Sequence, residues 1–323
     1  MSGNTQQAVQ SVTGTGAQMT VVPARSSEYR TGRWRKVAVI TSFILPALFV
    51  YVVYVMYPIV DTLIDSFFAW DGQSTMTFIG FKNYVHLLRD SIFWTALKNN
   101  VLVILASVCV QIPLGMVMAL ILLSPIRGRR IFGTVYFFPF LMSTVAIGLL
   151  WTYIFDPLNG PLNHLIRTVG IQNWQIQWLS DPRIAVYAVL LVVVWQYAPF
   201  YMILFKAAMV AIPEELYEAA SLDGATAWQK FWRITVPLIM PTIVSSAILA
   251  IVGSLKSFDL FYIMTGGGPD HATELLGTYM YKAAFVDFNM GYASSIAFSM
   301  FLVAFIVTVV IQYLEFVRQR RGG

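Results

Sequence analysis

The sequence predicts an all-α, polytopic membrane protein with six transmembrane helices and cytoplasmic N- and C-termini. Three observations predict it. Of the 323 residues 58% are hydrophobic and only 11% charged, where a soluble domain carries about a quarter charged residues. Six apolar stretches each reach the ~20 residues that cross ~30 Å of hydrocarbon as a helix. The connectors between them alternate in basic content, which threads the chain with its positive loops on one side.

Residues 1–22 are rich in Ser, Thr, Gln and Gly and hold no lysine or arginine. They read as a disordered segment, not a signal peptide, because no charged region precedes a short apolar core. Arg25, Arg30, Arg33, Arg35 and Lys36 follow, so 1–36 is read as a basic cytoplasmic tail. The first span is 37–60. The outer connector 61–98 places Tyr84, Phe93 and Trp94 on short interfacial helices, with the rings at headgroup depth. The second span, 100–123, is bent by Pro113 and Gly115. Arg127, Arg129 and Arg130 make the next loop purely basic, hence cytoplasmic.

The third span, 131–155, carries Pro139 in mid-helix, and the hydrogen bond lost there must be replaced by neighbours or water. The second outer connector, 156–183, is punctuated by Pro157, Gly160, Pro161, Gly170 and Pro182, with Trp174 and Trp178 as interface anchors. The fourth span is 184–210 and the fifth 237–262. Between them lies a polar island. The chain turns outside at 265–270, and 275–288 reads as a re-entrant or interfacial helix. The sixth span is 291–314, before Arg318, Arg320 and Arg321. The inside segments hold 13 basic residues and the longer outside connectors 6, which fits six spans with both ends inside.

Several function classes are excluded. Cys109 is the only cysteine and lies in an apolar run, so neither a disulfide framework nor a cysteine metal site is available. His86, His164 and His271 are far apart, and no metal site is expected. The net charge of +5 is read by side of the membrane, not as nucleic-acid affinity. No Walker-type Gly-Lys-Ser/Thr loop occurs, so no nucleotide or other cofactor is expected on this chain, and no catalytic set converges.

The polar island, 211–237, starts at Pro213, where a helix tolerates proline, and loads the first turns with Glu214, Glu215 and Glu218. Asp223-Gly224 ends that helix, since glycine takes the left-handed turn. Residues 225–233 restart a second short helix, and Pro237 opens the next apolar run. The spacing Glu218-Ala219-Ala220, three residues, Gly224, nine residues, Ile234-x-Val236-Pro237 resembles the EAA loop of ABC importer permeases, with Val236 where leucine is usual. The window 211–225 resembles the MalF/UgpA type of sugar permease, as do 78–84 and 92–99.

The resemblance covers about 37–318 and implies a type I ABC importer permease fold, with 319–323 as a cytoplasmic tail. It implies a non-catalytic subunit whose loop docks in a cleft of a separate ATPase that binds ATP and magnesium. Glu215, Glu218, Ala219, Ala220, Asp223 and Gly224 are the coupling residues. The implied partners are a second, similar permease, an ATPase dimer, an extracytoplasmic solute-binding protein, a sugar substrate and membrane lipid.

Polar groups inside spans are costly and mark a pathway. Trp195, Gln196, Tyr197, Phe200 and Tyr201 surround Pro199 on the fourth span, and aromatic faces beside an amide suit a sugar. Packing against neighbouring spans is the competing reading. The fifth span carries Gly253, Ser254, Lys256, Ser257 and Asp259. A lysine at mid-membrane costs roughly 2.5–3.5 kcal/mol, offset by pairing with Asp259, by a wet cavity, or by snorkelling outward. By resemblance, the sugar contacts fall on Gln196, Tyr197, Phe200, Gly253, Ser254 and Ser257; Lys256 joins them on its own chemistry. The maltose-type pattern has asparagine where Ser254 and Ser257 stand, which implies a different substrate. A glycerol-phosphate or polyol-phosphate importer is the rival in the same family. An ion-coupled secondary transporter is the rival outside it, needing intramembrane carboxylates and repeats, of which Asp259 is the one sign.

Overall fold

The computed structural model describes residues 28–168 and 176–321. The predicted disordered segment 1–22, Gly170 and Trp174 lie outside the described residues. Two compact units divide the chain, Met1–Tyr57 and Pro58–Gly323. Within the first, helix α1 (Glu28–Tyr51) runs through Pro46 and passes into a π-turn at Val52–Met56. Its sequence is apolar all round from Val37 onward, as a helix in hydrocarbon requires.

The second unit opens at Pro58, inside α2 (Tyr57–Asp65), and continues into a minimal antiparallel hairpin, β1 (Phe68–Ala69) and β2 (Thr77–Phe78), with Phe68 opposite Phe78. In its turn Asp71 accepts the backbone N–H groups of Gln73 and Ser74, which holds its carboxyl at about 2. Then come α3 (Lys82–Arg89) and α4 (Ser91–Ala106). Asp90 caps α4 through the Ile92 N–H at 2.8 Å. A π-turn at Ser107–Gln111 carries α4 into α5 (Ile112–Leu123), giving one apolar helix from Ser91 to Leu123. The sequence reading began this span at 100 and set 92–99 apart as interfacial. The aspartate cap starts the helix earlier, and nothing between it and the π-turn breaks it.

The third span is not one helix. It consists of α6 (Arg129–Leu141) and α7 (Thr144–Ile154), bent by 98°. Pro139 weakens the last turn of α6, Met142 takes an extended conformation, and Ser143 precedes a new helix start. After α8 (Pro161–Thr168) comes α9 (Ala185–Val210), the most buried of the long helices. The polar island forms α10 (Glu214–Leu222) and α11 (Ala227–Lys230), and α11 continues by a π-turn into α12 (Val236–Leu238). Pro237 therefore sits inside a short helix. It is Pro241 that opens the next one, α13 (Met240–Leu255), after a 67° bend.

The expected fifth span is cut again at 256–258, before α14 (Asp259–Thr265). The outer helix predicted at 275–288 is α15 (Leu276–Phe285), and α16 (Met290–Arg321) closes the fold. Four long helices and two bent pairs give six spans when each pair counts as one.

The core is organised on α9. Val189, Val192 and Val193 pack with Val103, Ile147 and Phe261 from α4, α7 and α14. Further along α9, Met202 and Phe205 meet Ile112, Ala119 and Ala250. A Cβ on Gly115 would lie 2.7 Å from the Tyr201 Cβ and 2.9 Å from the Ala198 carbonyl and the Met202 nitrogen. Only glycine lets α5 and α9 cross this closely, and dispersion between such backbones drives helix association in lipid.

Candidate functional site

A cavity of about 380 Å³ opens where α13 breaks. Because the helix stops at Leu255 and restarts at Asp259, the intervening side chains leave the helical face. Gly253, Ser254, Lys256 and Ser257 line the cavity, as do Tyr197 and Phe200 from α9. Six of the seven pathway residues predicted from sequence are thus brought together. Gln196 is not at the wall. It is 2% exposed, its amide donates to Thr144 Oγ1 at 3.4 Å, and its Oε1 has no partner among the described residues. Thr144 does line the cavity, so Gln196 stands one layer behind.

Sequence reasoning missed the opposite wall, made by Ser107 and Gln111 from the π-turn with Phe140 and Thr144 from the α6–α7 bend. The signal was present: Ser107 and Gln111 are polar residues four apart inside an apolar span, and π-turns recur at functional sites. Ser107 accepts from Ser254 Oγ at 3.1 Å, and Gln111 Nε2 donates to the Val193 carbonyl at 3.1 Å. Both amide and hydroxyl are held in place. Phe140 and Phe200 stack with centroids 5.5 Å apart, with Tyr197 edge-on to Phe140 at 6.2 Å.

Lys256 and Asp259 are both exposed to this cavity and form no ion pair with each other. The break is the reason, because the two no longer share a helical face. Among the described residues the ion pairs converge instead on Glu274. Its carboxylate is fully buried and takes Lys282 Nζ at 2.7 Å and His271 Nδ1 at 3.1 Å. Asn99 and Asn100, also buried, tie this outer segment to the cavity. Asn99 Nδ2 donates to the Ala272 and Glu274 carbonyls, while Asn100 accepts the Leu276 N–H at 2.9 Å and donates to the Ser254 carbonyl at 3.1 Å.

The polar island makes a second candidate surface. Gly224 takes φ +76° between α10 and α11, with open space where a Cβ would stand. The two helices are clamped from behind. Tyr217 and Thr235 share a hydroxyl hydrogen bond of 2.8 Å, Lys230 Nζ donates to Ser221 Oγ at 2.5 Å, and Thr226 and Gln229 form a capping box. The far face is left bare. Glu215, Glu218, Ala219, Asp223 and Gly224 are exposed, Ala220 is half-buried, and Leu222 is 90% exposed.

Bent apolar helices around a cavity edged with polar groups, and a clamped helical loop held out from them, define a multi-pass membrane transport component. The chain belongs to the family of binding-protein-dependent transport system inner membrane components, whose profile matches residues 111–319. It is 35% identical to a probable ABC transporter permease protein of Pyrococcus horikoshii over 280 residues, 86% of this chain and 96% of that one. It is 31% identical to the lactose transport system permease protein LacF of Rhizobium radiobacter over 282 residues, 86% and 93% of the two chains. Its fold is that of a chain in the crystal structure of a bacterial ABC transporter involved in the import of the acidic polysaccharide alginate. The TM-score is 0.76 at 22% identity, covering 87% of this chain and 97% of that one.

Proposed function

We propose that this permease conducts a sugar or oligosaccharide into the cytoplasm as a non-catalytic subunit of an ATP-driven importer. The observation that carries the reading is the makeup of the cavity. Ring faces from Phe140, Tyr197 and Phe200 stand beside hydroxyl and amide groups from Ser107, Gln111, Thr144 and Ser257. Such a wall matches a pyranose, which offers apolar CH faces and a rim of hydroxyls. A lactose permease among its relatives supports the same substrate class.

In this reading the partners are a second, similar permease, two ATPase subunits and an extracytoplasmic solute-binding protein. ATP and magnesium bind the ATPase, not this chain. Glu215, Glu218 and Asp223 make polar contacts in the ATPase cleft, Ala219 and Ala220 permit close approach, and Gly224 aims the turn. Closure of the ATPase dimer draws α10, the spans swing to face outward, and the binding protein releases sugar into the cavity. Hydrolysis resets the state.

A polyol-phosphate is the second reading, favoured by the unpaired Lys256 ammonium in the cavity and opposed by Asp259 in the same wall. The test is uptake of labelled sugars and glycerol phosphate by cells with and without this chain, each also carrying an ATPase whose Walker lysine is replaced. Sugar uptake that needs both is expected. Sugar uptake that survives the dead ATPase would make this a gradient-driven transporter, and uptake of glycerol phosphate alone would give the site to the second reading.

A further inference from the structure

A strip of four aromatic rings begins in the cavity and leaves it. Phe258 lines the cavity and stacks on Tyr262, one turn along α14, with centroids 5.0 Å and planes 15° apart. Both rings meet Tyr281 on α15, at 5.5 and 5.2 Å, and Tyr281 meets Phe285, one turn on, at 5.1 Å.

The direction of the strip follows from its anchors. At its start α15 lies beside the helix break, where a Cβ on Gly277 would be 3.4 Å from the Ser257 carbonyl. Three residues past Leu276, Tyr279 donates its hydroxyl to Asp90, the cap at the outer end of α4. The helix therefore runs from cavity depth to the extracytoplasmic connector, and the rings climb with it. They are not core. Tyr262 is 38% and Phe285 57% exposed, and Phe258 and Tyr281 are half-buried.

We propose that Phe258, Tyr262, Tyr281 and Phe285 form an outer carbohydrate track on which successive pyranose units of an oligosaccharide stack on their way into the cavity. The inference rests on the sugar reading above and deepens it, because a track of several rings favours a chain of sugars over a single one. The electron-rich ring faces attract sugar CH groups, and the tyrosines add a polar edge for hydroxyls. Phe258 belongs to both strip and cavity, so a bound chain passes from one to the other while staying stacked.

The experiment uses cells carrying the full transporter, with membrane content of each variant checked by immunoblot. Tyr281→Leu and Phe285→Leu keep apolar bulk and remove the ring, whereas Tyr281→Phe and Phe285→Tyr keep it. Labelled gluco-, galacto- and xylo-sugars of one to about five units are the probes. In the leucine variants, half-saturation for sugars of three or more units should rise about five- to tenfold at unchanged maximal rate. Monosaccharide uptake and the ring-keeping variants should stay near wild type. Phe285→Leu, at the exposed tip, disturbs folding least and carries the test alone if the others leave the membrane. Wild-type behaviour of the leucine variants at every length, or equal damage in the ring-keeping variants, overturns the track and leaves the sugar reading standing. No uptake of any probe by the wild type overturns the sugar reading itself, and the track with it.

Discussion

Asn100 shows how much one buried side chain holds. It is fully buried, and its amide joins α4 to the Ser254 carbonyl on one side and the Leu276 N–H on the other. Asn100→Ala orphans that N–H, and a buried unpartnered group costs about 1–3 kcal/mol. A fall of several degrees in the melting temperature of the purified transporter is expected, and an unchanged melt would remove Asn100 from the framework. Asp90 gives a pH signature. Burial works against its ionisation, but hydrogen bonds from the Tyr279 and Tyr292 hydroxyls and from backbone N–H groups outweigh it and hold the carboxyl below its ordinary value. The Tyr279 hydroxyl is pushed up, by burial first and then by Asp90, so it remains a donor. A depressed carboxyl stabilises the fold above its unfolded value near 3.9 and loses that contribution as pH falls through the folded one. The melting difference between wild type and Asp90→Asn should hold from pH 8 to about 5 and shrink below about 4; a difference independent of pH would sink the assignment. The long-range contacts of neither residue were legible beforehand. The Asn100 partners and the two tyrosines on Asp90 lie more than 150 positions away along the chain, and no local pattern announces them.

Among the elements, the apolar runs were legible and their interruptions were not. Composition and length located every span, yet they carried no sign that 131–155 bends by 98° or that 237–262 stops at 256–258. The sequence places Pro139 inside one continuous helix, at the cost of a hydrogen bond. The break falls three residues later, where extended Met142 lets the chain turn. The polar residues of the fifth span were found because polar groups in hydrocarbon are costly; the wall facing them was overlooked, although Ser107 and Gln111, four apart in an apolar span, carry the same signal. The α5–α9 crossing yields a prediction at this scale. Gly115→Val drives methyl groups into the Ala198 and Met202 backbone, and overpacking of this kind costs about 1–3 kcal/mol or more. The variant should reach the membrane in reduced amount and melt lower, as read by fluorescence size-exclusion chromatography with heating. Wild-type yield and melting would mean that the helices can separate freely there.

At the level of the whole molecule, the apolar spans and the pair of short helices in the polar island were the most legible features, because both rest on composition and fixed spacing. Most of the residues proposed above to couple the loop to an ATPase are exposed on and beside α10, and Gly224 offers a clean probe of that proposal. Its φ of +76° excludes most side chains at about 1–2 kcal/mol, while nothing stands where the Cβ would go. Gly224→Asp should therefore leave the chain in the membrane, abolish uptake and release the ATPase on purification; retained co-purification and transport would disconnect the loop from coupling. The π-turn at Ser107–Gln111 has a wider meaning. It sits between two fixed points of one long helix, Asn99 and Asn100 toward the outside and Gly115 toward the cytoplasm. A π-turn holds one residue more than the α-helix would use, and each residue is worth about 100° of rotation. The wider turn absorbs that extra residue where it stands, so the outer and inner halves stay aligned while Ser107 and Gln111 reach the cavity wall. Deleting any one position from 107 to 111 would give a regular helix with both halves still aligned and the polar ledge between them gone.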